Sequence, residues 1–152
     1  MRASDKVLQE KIAAIKDNDI IAFDNDPVSY RIIDTLNNNN KKISVVSYST
    51  DIIHYAAKNT NFNIIIPTGQ VNSTFHVVIG ETVCDTFKKY KIKQYYLSAP
   101  YQMNKALFQT YEEVAQIQHT LFNSADTIYL MNYPEIITSF DEEQYYKVGE
   151  LS

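Results

Sequence analysis

Short continuous apolar runs alternate along the chain with longer segments whose apolar residues recur every three or four positions. The first periodic segment, 5–17, opens at Ser4 and Asp5 and carries Leu8, Ile12 and Ile15 at helical spacing, stopping at Asp17, Asn18 and Asp19. The run 20–23 that follows, bounded by turn formers, has the pattern of a strand buried on both faces. Asp24, Asn25 and Asp26 turn the chain. Asp26 is suited to cap a helix whose first turn holds Pro27 and whose inner side carries Val28, Ile32, Ile33 and Leu36, up to the asparagine run 37–40.

The same step then recurs. A strand at 43–46, a turn at 47–50 and a helix facing inward through Ile52, Ile53, Ala56 and Ala57 lead to a third strand at 63–66, ended by Pro67, Thr68 and Gly69. Residues 70–79 lose periodicity and fit either a loop or an arm with short strands. Beyond them the pattern predicts a helix from Gly80 and Glu81 through Val83 and Phe87, a strand at 94–97, a helix at 111–122 showing Val114, Ile117 and Leu121, and a strand at 127–131. After Pro134 the chain is polar and rich in tyrosine, with no clear final element. Strands alternating with helices imply parallel pairing through crossover helices, so the expected fold is α/β, a mainly parallel open sheet with helices on both faces. No solenoid period and no internal linker is visible, and residues 1–152 are expected to form a single domain.

Composition narrows the function. A formal charge of −4 argues against the domain itself gripping nucleic acid, which needs a clustered cationic surface; the densest such run, Lys88, Lys89, Lys91 and Lys93, reads as a solvated helix end. The single cysteine, Cys84, excludes an internal disulfide and reads as a small buried hydrophobe in a reducing, cytoplasmic setting. No signal core precedes the first helix, and no apolar run reaches the roughly 18 residues of a membrane span. His54, His76 and His119 stand on different elements without metal-ligand spacing, so neither a metal nor another cofactor is expected.

In an open parallel sheet, ligands bind beyond the carboxyl ends of the strands, where turns meet helix N-termini. Five segments qualify: 24–29, 47–50, 67–70, 98–105 and 132–135. They supply the candidate effector-binding residues Asp24, Asn25, Asp26, Ser29, Ser47, Tyr48, Ser49, Gly69, Tyr101 and Asn132. Tyr48 and Tyr101 could stack on a sugar ring or merely cover the sheet's end, while Tyr95 and Tyr96, alternating on a strand, read as core and interface.

The register of these segments resembles the effector-binding sensor domain of DeoR-type transcriptional regulators. The run from Phe23 to Val28 stands where that family has a DxGTT-like loop; Val46, Ser47, Tyr48 and Ser49 match its V(T/S)NS-like turn; Thr68 and Gly69 match its GG turn. Gly80 corresponds to a later glycine that opens a helix, and Glu113 with Val114 to a Glu-Val pair, which adds Gly80 and Glu113 to the candidate site. The resemblance implies an architecture related to sugar-phosphate isomerases, a sugar or sugar-phosphate-like effector, homo-oligomers, and DNA contacted only through an N-terminal winged-helix domain that this chain does not encode. It implies a repressor-type role in sugar metabolism and no catalysis.

The departures concern charge. Asp26 replaces the loop glycine, and Pro27 and Val28 replace two hydroxyl residues; Asn72 falls near the usual Arg, while Ile117 and Glu135 fall where the family brings Lys. The cationic half of a phosphate site is missing, so an uncharged or weakly charged effector is expected. The resemblance also leaves the family's last strand without a counterpart. Two other readings compete. Asp24, Asn25, Asp26, Pro27, Val28 after a strand fits the DxDx(T/V) motif of haloacid-dehalogenase-like phosphatases, with Asp24 as nucleophile and Asp26 as acid/base, but the strand ending in Met131, Asn132 and Tyr133 lacks the acidic pair that would hold Mg²⁺. An aldose-ketose isomerase would need the absent phosphate cradle, and a decayed structural dimerisation module would account for the lost polar groups equally well.

Overall fold

The computed structural model describes residues 3–139 and 144–152. In chain order it runs α1 (Ala3–Ala13), β1 (Ile20–Phe23), α2 (Pro27–Asn38), β2 (Ser44–Val46), α3 (Thr50–Asn59), β3 (Asn63–Ile65), β4 (Gln70–Asn72), β5 (Val77–Ile79), α4 (Val83–Lys88), β6 (Ile92–Leu97), β7 (Tyr101–Met103), β8 (Ala106–Gln109), α5 (Glu112–Ser124), β9 (Ala125–Leu130), β10 (Glu135–Ile136) and β11 (Tyr146–Glu150). Five strands form the central sheet in the order β3-β2-β1-β6-β9, and every pairing in it is parallel.

Period-two alternation within these strands builds two cores. On one face, Ile21 and Phe23 of β1, Val45 of β2 and Tyr96 of β6 pack with Ile12, Ile32, Ile33, Leu36 and Ile52 from α1, α2 and α3. On the other, Ala22, Val46, Tyr95 and Leu97 meet Val83 and Phe87 of α4 and Val114, Ile117 and Leu121 of α5. A strand clothed on both sides needs apolar residues at every position, which is why β1 reads as an unbroken run. Tyr95 and Tyr96 therefore divide between the two cores, both fully buried, and neither lies at an interface within the chain's surface.

The remaining strands lie apart from this sheet. Residues 70–79 are an antiparallel hairpin, β4 with β5, pairing Gln70 with Ile79 and Asn72 with Val77. A second sheet, in the order β10-β7-β8-β11, packs against α5 through β11, and the His119 Nδ1–H donates to the Val148 carbonyl at 2.8 Å.

Four sequence expectations change. The first helix ends at Ala13, because Ile15 turns inward to full burial and Asp19 accepts from the Lys16 N–H at 2.9 Å in the following turn. The segment after Pro134 does contain elements, β10 and β11; β11 escapes a periodicity search because its partner β8 is distant in sequence and its pairing shifts register between Lys147 and Gly149. Cys84 is half-buried, its Sγ 3.7 Å from the Gln116 carbonyl oxygen, and is not a core residue. Ala57 is exposed, so the inner face of α3 rests on Ile52 and Ala56.

Gly69 and Gly149 each allow a close approach, with different tolerance. A Cβ on Gly69 would stand 2.4 Å from the Ile79 carbonyl oxygen, a backbone atom fixed by the hairpin; one on Gly149 would meet the Phe122 ring at 2.8 Å, a side chain able to turn. Gly69→Ala is expected to lower stability by about 1–3 kcal/mol, as overpacking does, and Gly149→Ala by less. Urea unfolding midpoints of the two variants check this, and a larger loss at position 149 would contradict it.

Candidate functional site

Asp24 follows β1 directly and is almost completely buried. Its backbone N–H prolongs the ladder by donating to the Tyr96 carbonyl at 2.9 Å. The carboxylate is surrounded by donors from separate elements. The Tyr95 hydroxyl donates to Oδ1 at 2.7 Å, and the Ser98 N–H and the Gln118 amide donate to Oδ2 at 2.8 and 2.7 Å. The Tyr48 hydroxyl is a further partner. Gln118 Nε2 also donates to the Ser98 carbonyl at 2.8 Å, which fixes the amide's orientation, and its buried Oε1 has no partner among the described residues.

Burial pushes the Asp24 carboxyl up from 3.8 to about 6, and the hydrogen bonds from Ser98, Tyr95, Gln118 and Tyr48 hold it from rising further. Burial, and then the charge of Asp24, lift the Tyr48 and Tyr95 hydroxyls well above the ordinary tyrosine value, so both stay neutral donors.

Above Asp24 opens a pocket of about 700 Å³ at the carboxyl ends of β1, β2, β6 and β9. Asp24, Asn25, Tyr48, Ser49 and Asn132 contribute from the strand-end loops, as does Ser98 with Pro100. Phe75 and Val77 enter from the hairpin, and Gln109, Thr110, Tyr111 and Val114 from the end of β8 and the start of α5. Among the described residues no Lys, Arg or His lines it.

Most of the strand-end polar groups are already engaged within the fold. Asn25 donates to Asp51 at 3.2 Å and accepts from the Tyr30 hydroxyl at 2.8 Å. Asn132 closes a two-way pair with the Ala99 backbone at 3.1 and 2.7 Å, and Ser49 caps α3 by accepting from the Ile52 N–H at 3.3 Å. Tyr48 is buried, with its hydroxyl at Asp24. The hydroxyls of Ser98 and Thr110 and the Gln109 amide carry no hydrogen bond among the described residues.

The other sequence candidates lie outside this lining. Asp26 caps α2, its Oδ1 accepting from the Val28 N–H at 2.9 Å. Ser29 donates to the Asp24 carbonyl and Ser47 to the Phe23 carbonyl, both at 2.7 Å and both fully buried. Gly69 and Gly80 face each other at the base of the hairpin, Gly80 at φ +142°. Tyr101 belongs to the second sheet, edge-on to Tyr145 with ring centroids 5.2 Å apart, and Glu113 is exposed on α5. Sequence reasoning placed Ser98 in the qualifying segment 98–105 without singling it out, and missed Tyr95 as a ligand of the carboxylate, and Phe75, Gln109, Thr110 and Tyr111. It also missed Gln118, whose signal was present: a polar residue on the stripe Val114, Ile117, Leu121 of α5 has to meet a buried polar partner.

This arrangement gives no support to phosphatase chemistry. Asp24 is enclosed by donors and Asp26 is committed to the helix cap, so neither carboxylate is presented as nucleophile or acid/base. Among the described residues no group of three or more His, Cys, Asp or Glu is placed to hold a metal ion. No helix among them is long and apolar enough to cross a membrane.

A parallel sheet covered on both faces, with a pocket at the carboxyl rim, defines an open-sheet α/β protein. Solved structures agree at the level of fold. Ribose 5-phosphate isomerase A from Methanocaldococcus jannaschii is 10% identical with a TM-score of 0.53, over 84% of this chain and 50% of that one. The eIF2B delta structure from Chaetomium thermophilum is 12% identical with a TM-score of 0.55, over 95% and 51% of the two chains. The Pyrococcus horikoshii OT3 translation initiation factor eIF-2B is 9% identical with a TM-score of 0.55, over 95% and 55%. The chain thus spans about half the length of these structures. No curated protein sequence matches it. The model of the DeoR C-terminal sensor domain matches residues 5–147, and the chain belongs to that family.

The raised carboxyl of Asp24 sets a pH dependence. Its folded-state value, about 6, exceeds the ordinary 3.8, so the folded form holds the proton more tightly than the unfolded chain. The stabilisation is complete below the lower value and is lost as pH rises through the upper one, by about 3 kcal/mol in total. In Asp24→Asn the amide takes the place of Oδ1 and the Tyr95 hydroxyl turns to accept from it. The unfolding free energy of the wild type minus that of the variant is expected to fall by most of this amount, about 2 kcal/mol, between pH 4 and 7. A flat difference across that range in denaturant titrations would show that the buried carboxyl ionises like an exposed one.

Proposed function

We propose that the domain senses an uncharged or weakly charged, sugar-like metabolite in the pocket above Asp24, and that it is a regulatory module without catalytic activity. Binding there biases a DNA-binding winged-helix domain carried elsewhere in the regulator, through the ligand's unequal affinity for two arrangements. The setting is the cytoplasm, and copies of the chain associate. The repressor role and the link to sugar metabolism belong to the same proposal.

One observation carries the ligand class: the pocket has a buried carboxylate at its base and, among the described residues, no cationic residue in its lining. The α2 N-terminus, where a phosphate would otherwise find free N–H groups, is occupied by the Asp26 carboxylate. A phosphate brought to about 4 Å of either carboxylate meets a repulsion of about 4 kcal/mol per pair of unit charges at an effective dielectric of about 20. A neutral polyol meets none. Association of copies is supported by exposed apolar side chains, among them Ile66, Val71 and Ile136.

Thermal unfolding against paired sugars and sugar phosphates tests the reading. A parent sugar at about a hundred times its dissociation constant should stabilise the domain by about 2.7 kcal/mol, with its phosphate ester weaker. Stabilisation by the ester alone would overturn it. Sedimentation of the same sample should give a species larger than the monomer at high micromolar concentration, and a clean monomer would remove the oligomer from the proposal.

A further inference from the structure

The hairpin tip and the start of α5 meet at the mouth of the pocket. Phe75, between β4 and β5, is 59% exposed although it is large and apolar. Its ring lies against that of Tyr111, centroids 5.0 Å apart and planes inclined by 49°. Both line the pocket. One side chain holds the pair: Asn72 Oδ1 accepts from the N–H groups of Thr74 and Phe75 at 3.0 and 3.1 Å, while its Nδ2 donates to the Tyr111 hydroxyl at 3.2 Å.

The tip is fastened on its other side as well. The Thr50 N–H and hydroxyl donate to the His76 carbonyl at 2.9 and 3.1 Å, and His76 Nδ1 lies 3.1 Å from an Asp51 carboxylate oxygen. His76 takes φ +55°, a left-handed backbone uncommon outside glycine, at the turn that sets Phe75 over the pocket. An apolar ring this firmly held and still open to a pocket is suited to the face of another ring. The unengaged hydroxyls of Ser98 and Thr110 and the Gln109 amide share the same lining and suit a polar rim.

We infer that Phe75 and Tyr111, coupled through Asn72, form an aromatic wall that grips the face of a neutral, cyclic, polyhydroxylated ligand. The inference deepens the reading above and rests on it. Asn72 is the positioning residue. It stands near the place where the family resemblance puts an arginine, so one exchange removes charge and adds shape. Free aldopyranoses and nucleosides share the required chemistry, a ring face free of charge with hydroxyls around it.

Thermal titration with D-glucose, D-galactose, adenosine and cytidine, beside the open-chain polyols sorbitol and ribitol, tests the wall and separates the two sources. In the wild type a cyclic compound should bind about two- to tenfold tighter than the open-chain ones, the size of an aromatic stacking contact. Phe75→Ala should lose that preference and leave open-chain binding unchanged; Asn72→Ala should act likewise, and Asn72→Asp, which keeps the acceptor for the Thr74 and Phe75 N–H groups and can accept from the Tyr111 hydroxyl instead of donating to it, should retain it. Because the chain has no tryptophan, Phe75→Trp adds a lone tryptophan whose selectively excited emission should change with the same compound. A cyclic ligand held equally well by Phe75→Ala would overturn the wall while leaving the proposed function intact. If no neutral compound binds the wild type, or only phosphate esters do, the function falls and the wall with it.

Discussion

The buried Asp24 carboxylate is the constraint around which the carboxyl rim is organised. A charge this deep is tolerable only with donors at both oxygens, and those donors come from β6, from the loop after it and from α5, with Tyr48 adding a hydroxyl from the loop after β2. The requirement fixes positions that are far apart in the chain. Gln118 must face the sheet, Tyr95 must point to the α5 side, and the chain after β6 must turn so that the Ser98 N–H reaches inward.

The same requirement explains why the strand-end polar residues resemble a binding site yet are largely unavailable to a ligand. Ser29 and Ser47 satisfy the carbonyls at the end of β1, Asn25 ties its loop to Asp51, and Asn132 joins the ends of β6 and β9. They form the frame of the rim. Apart from the Ser98 hydroxyl, the lining groups left unengaged come from the hairpin tip, the end of β8 and the start of α5, segments added to the parallel core.

That division also marks how far the sequence could be read. The first parallel strand was legible because double-sided burial demands an uninterrupted apolar run, the others because short apolar stretches alternate with helical periodicity, and Asp24 because it follows the first strand. Asp26 was legible as a cap, since capping is local. The second sheet was not: its strands are short, and β11 pairs with β8 across the whole of α5, β9 and β10, so nothing local specifies it. Tyr95 looked like core because tyrosine on a buried strand carries no mark of where its hydroxyl goes. Phe75 lies in a segment without periodicity and Tyr111 at the very start of a predicted helix, and nothing local marks that a single asparagine joins them.

Adjacent residues on α5 face two masters. Gln118 is fastened to the floor of the parallel sheet, and His119, the next residue, to the carbonyl of Val148 in the second sheet. A helix places consecutive side chains about 100° apart, so these two attachments brace it from different directions. The helix is a shared axle: it cannot roll or slide against one sheet without dragging the other, and the two β layers behave as geared parts.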